Sequence, residues 1–230
     1  MEPRHQASGQ TRVESELLNA LRSAELTTRP WPHAWIPTTF SKAIADRLTE
    51  EFPASGLPRY AQLPQRGPLY KQMGPVQTFR VATAPFNAAS EYCVGIYRDL
   101  FNAINGPPYR EAIAALTQID LRAGMLDLDI WEYGQGDYLG PHVDKPDTLV
   151  THIIYLSNDW QPAHGGKLQI LDGATQPGRI VYSYEPTQAS SAVLVRSDRS
   201  WHQVEAVATN NHPRRLLTAA FILHPDAPSD

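Results

Sequence analysis

Cysteine is almost missing from this chain. Cys93 is the only one in 230 residues, so no intrachain disulfide can form and a zinc site built on several thiolates is excluded. A lone thiol suits a reducing compartment, and a cytoplasmic location is expected. Long apolar runs are also lacking: no eighteen consecutive apolar residues occur, so no membrane-spanning helix is expected. The first twenty residues carry Glu2, Arg4, Arg12, Glu14 and Glu16 around no apolar centre, which argues against an export signal. Positive charge is not in excess either, since 20 Lys and Arg face 24 Asp and Glu for a net charge of −4. A nucleic-acid partner is therefore not expected. No internal repeat and no linker long enough to divide the chain is present. What remains is 42% hydrophobic, enough to bury a core without staples.

Helical periodicity dominates the first half. Residues 1–10 are polar and expected to be irregular, after which Val13, Leu17, Leu18, Leu21 and Ala24 recur at helical spacing. Prolines 30, 32 and 37 then forbid a helix but allow an extended segment with Trp31, His33 and Trp35 on one face, His33 serving packing or hydrogen bonding. Ser41 reads as the N-cap of a helix through Ile44, Ala45, Leu48 and Phe52, stopped by Pro53. From Ala54 to Gln77 no period is visible, and this Pro- and Gln-rich excursion is expected to carry substrate contacts, with Tyr70 and Gln72 as candidates. Helices are expected over 87–105, stopped at Asn105-Gly106-Pro107-Pro108, and over 109–116.

After Ile119 the pattern changes to short alternating strands separated by Gly and Pro turns: 126–133, 148–157, 167–171, 179–184, 192–196, 202–207 and 214–223. Many short strands after a helical half predict an α+β fold, a jelly-roll core over 119–225 with the helical and irregular residues 1–118 buttressing one sheet of it.

The chemistry concentrates at 138–156, YLGPHVDKPDTLVTHIIYL. His142 and Asp144 are two apart, so in extended backbone they share a face and can reach one metal ion; a distant histidine, for which His202 is the candidate, completes a two-His, one-carboxylate set. A His-x-acid pair is expected about 0.8 times by chance in a chain of this composition, so the context must carry the assignment. The last strand, RRLLTAAF at 214–221, places Arg214, Leu216 and Thr218 on one face and Arg215, Leu217 and Phe221 on the other. A cation facing an apolar interior needs an anion, which a carboxylate cosubstrate would supply. In 126–133 the polar face of Asp127, Asp129, Trp131 and Tyr133 is expected to look inward, with Asp129 and Trp131 as candidate contacts for an amino-containing substrate.

HVD at 142–144, the apolar strand ending IIYLSNDW at 153–160, Gly165-Gly166 before KLQIL, SWH at 200–202 and RRLLTAAF at 214–221 occur in an order that resembles the double-stranded β-helix of the Fe(II)/2-oxoglutarate oxygenases, in particular the prolyl-hydroxylase-like group. PHAWIP followed by a helix ending in EFP also resembles bacterial predicted proline hydroxylases. The resemblance implies His142, Asp144 and His202 as iron ligands, with Arg214 on the distal carboxylate of 2-oxoglutarate. Arg215 is the alternative to Arg214, which is preferred because it lies four residues before Thr218 on one face. Tyr155 and Thr218 are implied to share that carboxylate's pocket, and Tyr133 matches a family pocket position. Asp144 argues against the halogenase branch, which replaces the carboxylate with a small residue. The implied activity is hydroxylation of an unactivated C–H bond in an amino-acid-like or prolyl substrate, small or peptidyl, with succinate and CO2 as coproducts. Fe(II), 2-oxoglutarate and O2 are required, and ascorbate is a candidate reductant. Competing readings are a catalytically silent jelly-roll binding or sensing module, an oxidative tailoring enzyme of natural-product biosynthesis, and a zinc hydrolase.

Overall fold

A computed structural model describes residues 6–53, 59–60, 81–85, 88–89, 91–173 and 178–223. Tyr70 and Gln72, and most of the excursion that contains them, lie outside the described residues. Among the described residues four α-helices, α1 (Gln6–Ser23), α2 (Lys42–Glu50), α3 (Gly95–Asn105) and α4 (Pro107–Thr117), accompany eleven strands. These are β1 (His33–Ile36), β2 (Arg59–Tyr60), β3 (Val81–Pro85), β4 (Gly124–Tyr133), β5 (Leu139–His142), β6 (Thr148–Tyr155), β7 (Leu168–Leu171), β8 (Ile180–Tyr184), β9 (Ser191–Val195), β10 (His202–Val204) and β11 (Arg214–Leu223). A seven-stranded sheet runs β1-β9-β6-β11-β4-β3-β2, and a four-stranded sheet runs β5-β10-β7-β8. Every described strand pair is antiparallel. The α+β jelly-roll expectation therefore holds.

The large sheet has two differently employed faces. Leu128, Ile130, Val150, Ile154, Val193, Leu217, Ala219 and Phe221 pack outward with Leu17, Leu21, Leu48, Ile96, Leu100 and Ile113 of the helices, all buried. Fully burying each such side chain is worth about 1.5–3 kcal/mol, so the helical layer is what lets this face exist in water. Alternate residues turn inward to the second sheet, where Trp31, Tyr133, Ile153, Tyr155, Leu168, Ile170, Leu194, Val204 and Leu216 form a separate core. Cross-strand partners share a face, so the register Arg214 to Tyr133, Leu216 to Trp131 and Thr218 to Asp129 puts all six on the inner side. Arg215 falls on the other face, where it pairs with Glu132 at 3.0 Å and lies over the Phe52 ring.

Several boundaries differ from expectation for physical reasons. Helix α1 begins at Gln6, inside the stretch read as irregular. Helix α3 starts at Gly95 rather than near 87: Gly95 has φ +51°, and a Cβ there would lie 2.1 Å from Glu51 Oε2. That carboxylate accepts from Ile96 N at 2.9 Å and so closes the helix start from outside. Pro107 and Pro108, read only as a stop, are the first turn of α4, where a missing N–H costs nothing. Ser41 precedes α2 but makes no side-chain cap; its Oγ and N donate to Glu16 of α1. Strands β3 and β5 were not expected, and β10 ends at Val204 rather than 207.

Candidate metal centre

The small sheet delivers the two histidines. His142 ends β5 and His202 opens β10, and the two are register partners with ring centroids 4.2 Å apart. Both are about 5% exposed, buried enough that their hydration is largely lost. Each Nδ1 donates at 2.9 Å to the carbonyl two residues upstream, Gly140 for His142 and Ser200 for His202. This fixes the tautomer and leaves each Nε2 lone pair free. Burial, reinforced by the neighbouring His202, holds the His142 pKa well below its usual value, so the ring is neutral and able to ligate.

Asp144 follows β5 and brings Oδ1 to 3.7 Å from His202 Nε2. Its other oxygen, Oδ2, accepts from Thr151 Oγ1 at 2.7 Å. One ligand atom from each of His142, Asp144 and His202 falls within 4.8 Å of the others, and among the described residues this is the one such grouping. Two imidazoles and one carboxylate, brought this close, are the donor set that suits Fe(II) in a two-His, one-carboxylate site. The donor set fits that ion.

Behind this grouping lies Arg214, 1% exposed and without a carboxylate partner among the described residues. Its Nε donates to Gly166 O at 2.7 Å, and its guanidinium carbon lies 5.0 Å from the Tyr133 ring and 5.1 Å from the Tyr155 ring. Among the described residues the buried charge has a carbonyl, two ring faces and the nearby Tyr155 hydroxyl for company but no anion, which is costly, and an anion is what would relieve it. The Tyr155 hydroxyl is likewise buried, with no hydrogen bond of good geometry among the described residues, and burial pushes its pKa up to about 12 although the Arg214 guanidinium beside it opposes the shift by charge and as a donor. Burial also raises Tyr133. A neutral phenol donor beside a guanidinium that meets no carboxylate among the described residues is an acceptor's site, so the residues present fit a cosubstrate carboxylate. Gly166 makes room for it: at φ +68°, a Cβ would stand 3.0 Å from both Arg214 Cδ and Trp160 Cζ2.

The remaining expected residues are near but differently occupied. Thr218 shares the inner face with Arg214, yet its hydroxyl accepts from Trp131 Nε1 at 2.9 Å. Asp129 is half-buried opposite Thr218. His33 has the expected packing role, donating from Nδ1 to Trp31 O and accepting at Nε2 from Tyr184. Two contributors were missed from sequence. Trp31 lies 6.1 Å from the His202 ring and ties its Nε1 to the carbonyls of Leu171 and Trp201, beside the ligand. Thr151 was hidden in an apolar run, where a threonine carries no signal of its own; only the fold brings its hydroxyl to Asp144.

Residues 128–223 match the family model described as the 2OG-Fe(II) oxygenase superfamily. Over 116 residues the chain is 29% identical to prolyl 3-hydroxylase OGFOD1 of Xenopus laevis, a match that spans 49% of this chain but 22% of that protein. Among solved structures, a prolyl-4-hydroxylase of Pseudomonas putida aligns over 92% of this chain and 99% of its own, with 17% identity and a TM-score of 0.59. A prolyl hydroxylase of Trichoplax adhaerens, solved with a hypoxia inducible factor peptide fragment, aligns over 96% and 94%, with 15% identity and a TM-score of 0.61. At such identities these two speak to the fold. Among the described residues, no helix is long and apolar enough to cross a membrane.

Proposed function

We propose, from the match of residues 128–223 to the 2OG-Fe(II) oxygenase superfamily, that this chain hydroxylates a prolyl or amino-acid-like substrate, forming succinate and CO2 as coproducts. The family implies Fe(II), 2-oxoglutarate and O2. The observation that carries the reading is that the fold brings together the His142, Asp144 and His202 grouping of the small sheet and, on the inner face of the large sheet, a buried Arg214 that has no carboxylate partner among the described residues. A silent binding module would have no need to keep both, and a zinc hydrolase no need for a buried cation.

In this reading His142, Asp144 and His202 hold the iron, which when bound supplies O2 activation coupled to decarboxylation of 2-oxoglutarate. Arg214 and Tyr155 bind the distal carboxylate, the guanidinium by charge and the phenol by donating one hydrogen bond. Tyr133 covers the guanidinium, and with Ile153 and Leu216 keeps the pocket dry, which strengthens every charge interaction within it. Asp129 and Trp131 stand on the inner face beside this pocket as substrate contacts. A prolyl substrate draws support from the likeness to the Xenopus prolyl 3-hydroxylase.

The test is succinate release from 2-oxoglutarate under Fe(II) and O2, with proline-containing peptides and free amino acids screened for a 16-Da gain. Succinate from the wild type and none from His142→Ala, Asp144→Ala or His202→Ala is expected. Wild-type protein that yields no succinate with any substrate, while binding iron, would favour the binding module.

A further inference from the structure

The three ligand side chains are oriented in two different ways. His142 and His202 are held by backbone carbonyls, which no substitution removes. Asp144 is held by a side chain, and among the described residues Thr151 is its one hydrogen-bond donor. The contact divides the carboxylate: Oδ2 faces the hydroxyl at 2.7 Å, while Oδ1 is the oxygen 3.7 Å from His202 Nε2. A carboxylate left to itself can ligate through one oxygen or both. With Oδ2 drawn to the Thr151 hydroxyl, Oδ1 is the oxygen turned toward His202.

We propose that Thr151 is a positioning residue that fixes Asp144 as a one-oxygen ligand, so that the carboxylate occupies a single position at the metal. The inference rests on the reading of His142, Asp144 and His202 as a metal site. Thr151 is built for the task. It sits in β6, central in the large sheet, with Ala220 of β11 and Leu194 of β9 as its register partners. It is 9% exposed, and β-branching limits its χ1, so the hydroxyl has little freedom to turn elsewhere. Its inward neighbours along the strand are Ile153 and Tyr155, so a valine would satisfy packing at 151 equally well. The hydroxyl is therefore explained by Asp144 rather than by the core. Through it, the large sheet reaches across to orient a ligand that arrives from the loop after β5.

The experiment is an anaerobic Co(II) titration of apo-protein, followed by the d–d absorption of the bound ion, in wild type, Thr151→Val, Thr151→Ser and Asp144→Ala. Loss of an outer contact to a metal ligand typically costs 10–100-fold in affinity, and a weakening of about that size is expected in Thr151→Val. A changed band shape should accompany it as Oδ2 becomes free to ligate, and Thr151→Ser should restore both. A purely structural threonine would move neither the spectrum nor its rescue by serine. Should the valine variant not fold, Thr151→Ala removes the same hydroxyl and is expected to show the same loss. Weakened binding in Asp144→Ala, with wild-type affinity and spectrum in Thr151→Val, overturns the assignment of Thr151 alone. Wild-type affinity in Asp144→Ala overturns the metal-site reading, and this proposal with it.

Discussion

Replacing Arg214 by leucine should separate binding from stability in opposite directions. In the free protein Arg214 is 1% exposed, has one carbonyl at 2.7 Å and, among the described residues, no carboxylate, so it is a net cost to the fold. Leucine removes that cost while filling much of the space beneath Tyr133 and Tyr155, and the urea midpoint of apo-protein should stay level or rise. The bound state behaves otherwise. Removing one partner of a desolvated charge pair costs on the order of 2–5 kcal/mol, so the Kd for 2-oxoglutarate should rise by roughly 30-fold to several thousand-fold. Arg215→Leu is the internal control, because it loses a partly exposed pair with Glu132 and a ring contact with Phe52 on the opposite face. It should lower stability by about 1–3 kcal/mol and leave 2-oxoglutarate affinity alone. Both variants are read by anaerobic titration of 2-oxoglutarate into the Fe(II) protein and by urea unfolding. Wild-type affinity in Arg214→Leu would refute the reasoning, whatever its stability.

Alanine at His142, Asp144 or His202 should weaken Fe(II) binding strongly while leaving the unfolding midpoint of apo-protein near wild type, since the three stand at the end of the small sheet and not in its apolar core; anaerobic titration checks this. Gly166→Ala should raise the Kd for 2-oxoglutarate without touching metal affinity, because φ +68° and a Cβ 3.0 Å from Arg214 Cδ force the guanidinium to shift; an unchanged Kd would mean that Arg214 is not fixed by this contact. His152, fully buried beneath α4 with Tyr109 as its one hydrogen-bond partner among the described residues, has its pKa pushed down by burial to about 3. Its folded value lies below its unfolded value of about 6.5, so its contribution is complete above pH 6.5 and is lost as pH falls toward 3. His152→Leu should therefore flatten the acid limb of stability by up to about 1.4 kcal/mol per pH unit in that window, measured by urea unfolding from pH 7 to 4.

What could be read from the sequence is what the chain encodes by period. The alternation in RRLLTAAF was sufficient to send Arg214 inward and Arg215 outward, because the side-chain period of a strand is fixed at two and one face of this sheet had to be buried. The same parity put Asp129, Trp131 and Tyr133 inside. Helix stripes at Leu17, Leu21, Leu48, Ile96 and Leu100 were legible for the matching reason at a period of 3.6. Boundaries escaped wherever a distant residue set them. No local signal says that Glu51 will close the start of α3 at Gly95, or that Glu16 will take the donors of Ser41. Strand β5, LGPH, is too short and too poor in β-forming residues to show any alternation, and it exists because β10 pairs with it.

The metal centre divides along the same line. The residues proposed as its ligands announce themselves by residue type and spacing, since only a few side chains can bind iron and two of them must share a face. The groups that aim the ligands do not, because a backbone carbonyl is present at every position and a threonine in a strand is ordinary. Thr151 differs from its neighbours only in that the turn between β5 and β6 returns it to Asp144, and Trp31 only in that its indole meets the carbonyl of Trp201 from 170 residues away. Ligand identity is thus a property of the sequence, whereas ligand orientation is a property of the register between the two sheets. A substitution that shifts β6 against β11 without touching a ligand should then loosen the metal, and one that respects the register should not.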